Sequence, residues 1–171
     1  GPMARGVPSD ASNLVLRAAE QMPFAADIRL EKHLPAAAGI GGGSSDAAAC
    51  LRGLAQLSGM PLPDREALLS LGADVPVCLH AGLTRMGGIG GDITPAGPAP
   101  AWPMLLVNPG VSVPTPVVFK GLALKNNAPM PDTYPNHASL ADQAAWVAQQ
   151  RNDLEAPAID QAPVIREVLD N

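Results

Sequence analysis

The chain has 171 residues, 47% hydrophobic, 16% charged and 3% aromatic, with a formal net charge of −5. That size allows one domain with a core, or one domain and part of another, and the composition is globular rather than disordered. The acidic balance, with no run of five basic residues, argues against a nucleic-acid surface, and no stretch has the ~18 apolar residues of a membrane span.

With so few aromatics, Ala, Leu, Val and Ile are left to build the core. Residues 12–22 (SNLVLRAAEQM) read as a helix capped by Ser12, with Leu14, Ala18 and Met22 on one face. Residues 26–35 alternate Ile28, Leu30 and Lys32 against Arg29, Glu31 and His33, which predicts a half-buried strand ended by Pro35. After a glycine-rich loop comes an alanine-rich helix. Residues 60–76 predict a further helix, with Asp64 at its cap and Gly72 at its end. Short strands broken by glycine turns are expected over 75–97. The region 101–122 is richest in β-forming residues, with 104–107 a buried strand. A loop over 121–132 leads to two helical segments at the end of the chain. Strands and helices together indicate α+β.

Cys50 and Cys78 are the only cysteines and form no CxxC pair. They read as buried thiols in a reducing compartment. The first residues carry no basic segment followed by an apolar one, so no secretory signal is visible and a cytoplasmic location is expected. His33, His80 and His137 show no metal-ligand spacing and read as surface or core residues.

The stretch LPAAAGIGGGSSDAAACLRGLAQLSG, residues 34–59, sets four glycines and two serines directly before a run of alanine and leucine. Two readings fit. Backbone N–H groups of a glycine loop, with the positive end of the helix dipole behind them, form a phosphate cradle. Alternatively, the stretch is a turn followed by a helix that Ser44 or Ser45 caps. A Walker A loop is excluded because no lysine follows Gly43, and a dinucleotide fingerprint because Ser44 stands where its third glycine belongs.

A third pattern, P-x-x-x-G-[IL]-G-G-G-S-S-x-A-A, runs from Pro35 through Ala48. It resembles the second motif of the GHMP kinases. LGADVPVCLHAG (71–82), NPGVSVPTPVVFK (108–120), RNDLE (151–155) and the opening nineteen residues narrow the resemblance to the 4-diphosphocytidyl-2-C-methyl-D-erythritol kinases of that superfamily. The resemblance implies the GHMP kinase fold of class α+β. A mixed sheet with helices would occupy residues 1–99, the ATP-binding domain, and part of a ferredoxin-like domain would occupy 100–171. It further implies transfer of the ATP γ-phosphate, with Mg²⁺, to the 2-hydroxyl of a cytidine diphosphate derivative. The partners would be small molecules, with no nucleic acid and no membrane. Two alternatives stand beside this: a homoserine- or mevalonate-type GHMP kinase, and a non-catalytic nucleotide-binding module.

Phosphoryl transfer requires mainly positioning and charge neutralisation. The resemblance assigns the ATP phosphates to Pro35, Gly39, Gly41, Gly42, Gly43, Ser44 and Ser45, the serines supplying donors or a Mg²⁺ ligand. It makes Asp74 the carboxylate that orients or deprotonates the attacking hydroxyl, where the residue alone reads as a cap on the turn after Gly72. Asn13, Leu14 and Lys32 match positions around adenine, although Lys32 by itself reads equally as solvated. Phe119 matches an aromatic that stacks on cytosine, with Lys120 beside it for a phosphate; otherwise Phe119 ends a core strand. Asn152 and Asp153 read as structural.

Three departures accompany the resemblance. The family's first motif, whose lysine partners the aspartate, is expected before Gly1, and its third glycine-rich motif after Asn171. The chain therefore reads as the middle of the enzyme, inactive by itself. Gly87 and Gly91 stand where family members carry charged residues, which predicts a loop without its polar anchor.

Overall fold

The computed structural model describes residues 1–36 and 39–171. Its backbone divides into two compact units, Gly1–Gly97 and Pro98–Asn171.

Helix α1 (Leu14–Glu20) opens the first unit. Its cap is Asn13, not Ser12. The Asn13 side chain accepts from the Val15 amide at 2.9 Å, while the Ser12 amide and hydroxyl both donate to Asp10. Asp10 so near can take both Ser12 donors, which leaves the next residue to satisfy the helix end. Helix α2 (Gly42–Ser58) is the longest element and closes on Gly59, whose φ of 70° suits glycine. Helix α3 (Arg65–Leu71) begins and ends as its sequence predicts: the Asp64 carboxylate accepts from the Ala67 amide, and Gly72 follows the last turn. A short helix α4 (Val75–Cys78) comes next, in the region expected to be strand.

The core joins α1, α2, α3 and α4. Ala47, Leu51 and Leu54 recur along one face of α2 and meet Ala18, Met22, Leu68, Leu71 and Val75. Ala18, Ala47, Leu51 and Val75 are fully inaccessible. Met22 is buried on the face expected of it, whereas among the described residues no isoleucine is buried, although isoleucine was expected to share in the core.

Strands β1 (Leu83–Gly87) and β2 (Asp92–Gly97) pair antiparallel, with Arg85 opposite Thr94 and Met86 opposite Ile93. This glycine-turned hairpin confirms α+β, and it is the sheet formed among the described residues, where a mixed sheet is expected. Residues 26–35 form no ladder among the described residues. Among the described residues their one backbone bond from outside is the Met3 amide donating to the Lys32 carbonyl at 3.1 Å. Alternation specifies which face would be buried, but a strand also needs a neighbour along its length.

The hairpin turn is anchored, contrary to expectation. Arg65 reaches from α3 to the Asp92 carboxylate at 2.6 Å. A Cβ at Gly90 would collide with the Ala73 carbonyl, and one at Gly91 with the Arg65 guanidinium. Backbone crowding therefore requires glycine at 90, whereas a side chain at 91 would have to displace the Arg65 guanidinium.

The second unit is helical among its described residues: α5 (Thr115–Lys120), α6 (Leu140–Ala148), α7 (Glu155–Gln161) and α8 (Val164–Asp170). Three helices close the chain where two segments are expected, because Pro163 divides the last stretch. The anticipated buried strand at 104–107 is absent. Met104, Leu105, Leu106 and Val107 are 59–88% exposed and unladdered. Tyr134 packs edge-on against Trp146 and donates to the buried Gln143.

Asn127 and Arg151 both donate to Asp153, tying the loop before α6 to the approach of α7. Chiefly through the Arg151 hydrogen bond, the Asp153 carboxyl titrates below its ordinary value. A carboxylate depressed in this way favours folding above its unfolded pKa, and that contribution is lost as pH falls through the folded value. In a carbon-13 titration the Asp153 midpoint is expected below that of the urea-unfolded chain, and to rise in Arg151→Gln. Equal midpoints in the native chain and the variant would remove Arg151 as the cause. Asn152 accepts from the Leu154 amide at 3.2 Å, a turn-forming contact in keeping with a structural role.

Candidate functional site

The glycine loop delivers the chain into α2 through two left-handed positions, Gly39 at φ 72° and Gly41 at φ 68°. A β-branched residue is strongly disfavoured there. Gly41 is the N-cap of α2 and carries no side chain to close the helix end. Ser44 and Ser45 lie inside the first turn rather than before it, so neither caps, and the Ser45 amide makes the first intrahelical bond, to the Gly41 carbonyl. The amides of Gly42, Gly43 and Ser44 are therefore the helix-end donors that an α-helix cannot satisfy internally. Space around Gly43 is open, with nothing within 4 Å of where a Cβ would stand. Pro35 is exposed; Ala37 and Ala38, which also fall in the quoted pattern, lie outside the described residues.

Beside this helix end is a pocket of about 230 Å³, lined by Lys32, His33, Ile40, Gly42, Ser45 and Asp46 among others. Lys32 is not solvated. Its side chain is 10% exposed and its ammonium pairs with the Asp46 carboxylate at 2.6 Å. The same nitrogen lies 3.6 Å from the position of a Cβ on Gly42. Glu31, at the rim, sits between Arg29 and His33. Asp46 is the residue that sequence reasoning missed. Its signal was present: a lysine on the apolar side of an alternating segment needs an acidic partner if it is buried.

Helix α4 lies against α2. The Ser45 hydroxyl approaches Cys78 Sγ at 3.6 Å, and Arg52 donates to the Cys78 carbonyl at 2.8 Å. Both thiols are half-buried rather than buried, and burial raises the Cys50 pKa. Asp74 opens α4 at its N-cap, exposed and without a side-chain capping bond. Asn13 is occupied at the head of α1, accepting from Val15 and donating to Pro8. Leu14 packs against the core. Thus Lys32, Gly42 and Ser45 share one pocket, while Asn13 and Leu14 stand at the start of the helix that packs along α2.

In the second unit, Phe119 and Lys120 lie in the last turn of α5, both exposed, Phe119 by 50%. Phe119 ends a helix, not a core strand. His33, His80 and His137 are exposed, and among the described residues no group of three or more His, Cys, Asp or Glu could hold a metal ion. Among the described residues no helix is long and apolar enough to cross a membrane.

Comparison with known proteins adds independent evidence. Residues 11–96 match the model of the GHMP kinases N terminal domain. A 4-diphosphocytidyl-2-C-methyl-D-erythritol kinase of Dinoroseobacter shibae is 58% identical over 170 residues, covering 99% of this chain and 58% of that protein. One of the same name from Cereibacter sphaeroides is 56% identical over 170 residues, covering 98% of this chain and 61% of the relative. A crystal structure of a 4-(cytidine 5'-diphospho)-2C-methyl-D-erythritol kinase superposes with a TM-score of 0.66 at 31% identity, over 94% of this chain and 61% of that one. The chain spans about three fifths of the length of these relatives. A conserved-family match over the unit that carries the glycine loop, the open helix end and Asp74 leaves one assignment: the chain belongs to the GHMP kinases.

Proposed function

We propose that the chain supplies the nucleotide-binding part of an ATP-dependent kinase that phosphorylates the 2-hydroxyl of 4-diphosphocytidyl-2-C-methyl-D-erythritol in a cytoplasmic pathway of isoprenoid synthesis. The relatives' names supply the substrate. The observation that carries the reading is the head of α2, where a left-handed glycine leaves the first amides uncapped beside a buried lysine. Such a helix end attracts phosphate through its free N–H groups and its dipole.

In this reading residues 1–99 form the ATP-binding domain and 100–171 part of a second. Gly39, Gly41, Gly42 and Gly43 wrap the phosphates, with Pro35 setting the entry of the loop. Asn13, Leu14 and Lys32 face the adenosine side. Asp74 orients the acceptor hydroxyl and takes its proton as the oxygen attacks the γ-phosphorus. Being at a helix start without a capping bond, its carboxylate is free to face a ligand. Phe119 offers a ring face for cytosine and Lys120 a cation for its diphosphate.

Mg²⁺ fits this donor set. It is commonly held by few protein ligands together with substrate phosphates, and the Ser45 hydroxyl, which donates towards Cys78, keeps its lone pairs for a cation. Ser44 and Ser45 would hold the ion. Bound there with the nucleotide, Mg²⁺ neutralises the charge on the phosphate oxygens.

Calorimetric titration of Mg²⁺-ATP into the chain, with CDP titrated separately, tests the cradle against a Gly42→Val, Gly43→Val variant. Valine at 43 fills open space over the helix end, and valine at 42 crowds the Lys32 ammonium. Affinity for ATP is expected to fall at least about tenfold, the equivalent of one charge-assisted hydrogen bond. Equal binding by both proteins, or none by the native chain, would count against it.

A further inference from the structure

From the Lys32–Asp46 pair we infer that Asp46 is a positioning residue for the nucleotide: it pins the Lys32 ammonium at the head of α2, where that cation meets the ligand. The inference rests on the nucleotide reading of the glycine loop. Three observations carry it. Lys32 is buried on an otherwise exposed segment, with Glu31, His33 and Leu34 around it accessible. The ion pair at 2.6 Å is nearly closed off on the lysine side, and 29% of the Asp46 side chain remains accessible. Both residues line the pocket with Gly42 and Ser45.

An ammonium carries three donors, and Asp46 takes one. Among the described residues the others have no acceptor, and they can turn to acceptors on a nucleotide. A flexible lysine stem would otherwise swing to water, because a buried cation without a partner is strongly disfavoured. Asp46 stands on α2 just past its first turn, so the anchor is carried by the helix rather than by the loop. The aspartate never needs to touch the nucleotide. Its effect is to fix where the positive charge stands before the ligand arrives, which lowers the ordering cost of binding.

The chain has three lysines, Lys32, Lys120 and Lys125, and the other two are exposed. Pulsed amine acetylation read by mass spectrometry therefore carries its own controls. We expect native Lys32 to react at least about tenfold more slowly than the other two, and to approach their rate in Asp46→Ala and Asp46→Asn. Asp46→Glu restores protection. Mg²⁺-ATP further shields Lys32 in the native chain and in Asp46→Glu but not in Asp46→Ala, whose ATP affinity measured by calorimetry is lower by about tenfold or more. Circular dichroism verifies that the variants keep their helices, and the isosteric Asp46→Asn decides should Asp46→Ala unfold.

A purely structural ion pair would alter labelling without altering ATP shielding or affinity, and that result would overturn the inference. So would unchanged Lys32 reactivity in Asp46→Asn. Absence of ATP binding by native and variant chains alike, with Lys32 still unmasked, would instead locate the failure in the nucleotide reading and remove the ligand from the inference.

Discussion

Replacing Leu51 by alanine is expected to destabilise the first unit by about 2–5 kcal/mol, the range for a large-to-small change in a packed core. Leu51 is fully inaccessible, midway along α2, in the cluster that joins it to α1, α3 and α4. Its neighbours Ala18 and Ala47 are themselves small and buried, so they have no length with which to collapse into the space left behind. Domain stabilities are about 5–15 kcal/mol, and a loss of this size leaves little reserve. The aromatic residues make the measurement specific. Trp102, Trp146 and Tyr134 all lie in the second unit, whereas the longest helix lies in the first. Urea titration of Leu51→Ala should lower the midpoint followed by far-ultraviolet circular dichroism, while tryptophan fluorescence moves less. A variant melting with the native chain would show that α2 is not the spine of this core.

The second large effect is chemical. Asp74→Asn should reduce phosphoryl transfer by about 10²–10⁴-fold, the usual contribution of a positioned general base. The test places residues 1–171 in the corresponding segment of the Dinoroseobacter shibae relative, which supplies the remaining length. Because Asp74 is exposed and its carboxylate caps nothing, the substitution removes no bond that the fold uses at the start of α4. The loss should therefore appear in kcat, with the affinity for ATP and the melting temperature nearly unchanged. A variant that keeps its turnover would exclude Asp74 as base. One that loses nucleotide binding in equal measure would assign it to the binding site instead.

Locally encoded features were the legible ones. Asp64 and Gly72 frame α3 because capping is settled within three or four residues of chain. The hairpin follows its glycines, and α2 begins at Gly42, within the glycine run that leads into the alanines. What failed depended on distant partners. Residues 26–35 and 104–107 have the composition of strands, but pairing lies outside what alternation can specify. TPVVFK, rich in β-branched residues, became α5, where Pro116 in the first turn presets helical φ. At the site, the glycine pattern identified the loop, but the environment of Lys32 depended on a carboxylate fourteen residues away. Ser12 lost its capping role to the side chain next to it because Asp10 captured its hydroxyl.

The alanines of α2 have a consequence for the helix end that they follow by little more than a turn. Ala47 and Ala48 are fully buried, and α1, bearing Ala18, packs along this helix. Side chains of one carbon allow the backbones to come close, and they leave no slack for rolling. A helix turned by one residue rotates about 100°, which in one direction would bring the carboxylate of Asp46 into the space that the Ala47 methyl group fills. The seam thus works as an index pin: it sets the angle at which the open amides of Gly42, Gly43 and Ser44 are presented. Precision at the glycine loop is fixed from below, by residues that have no polar chemistry of their own.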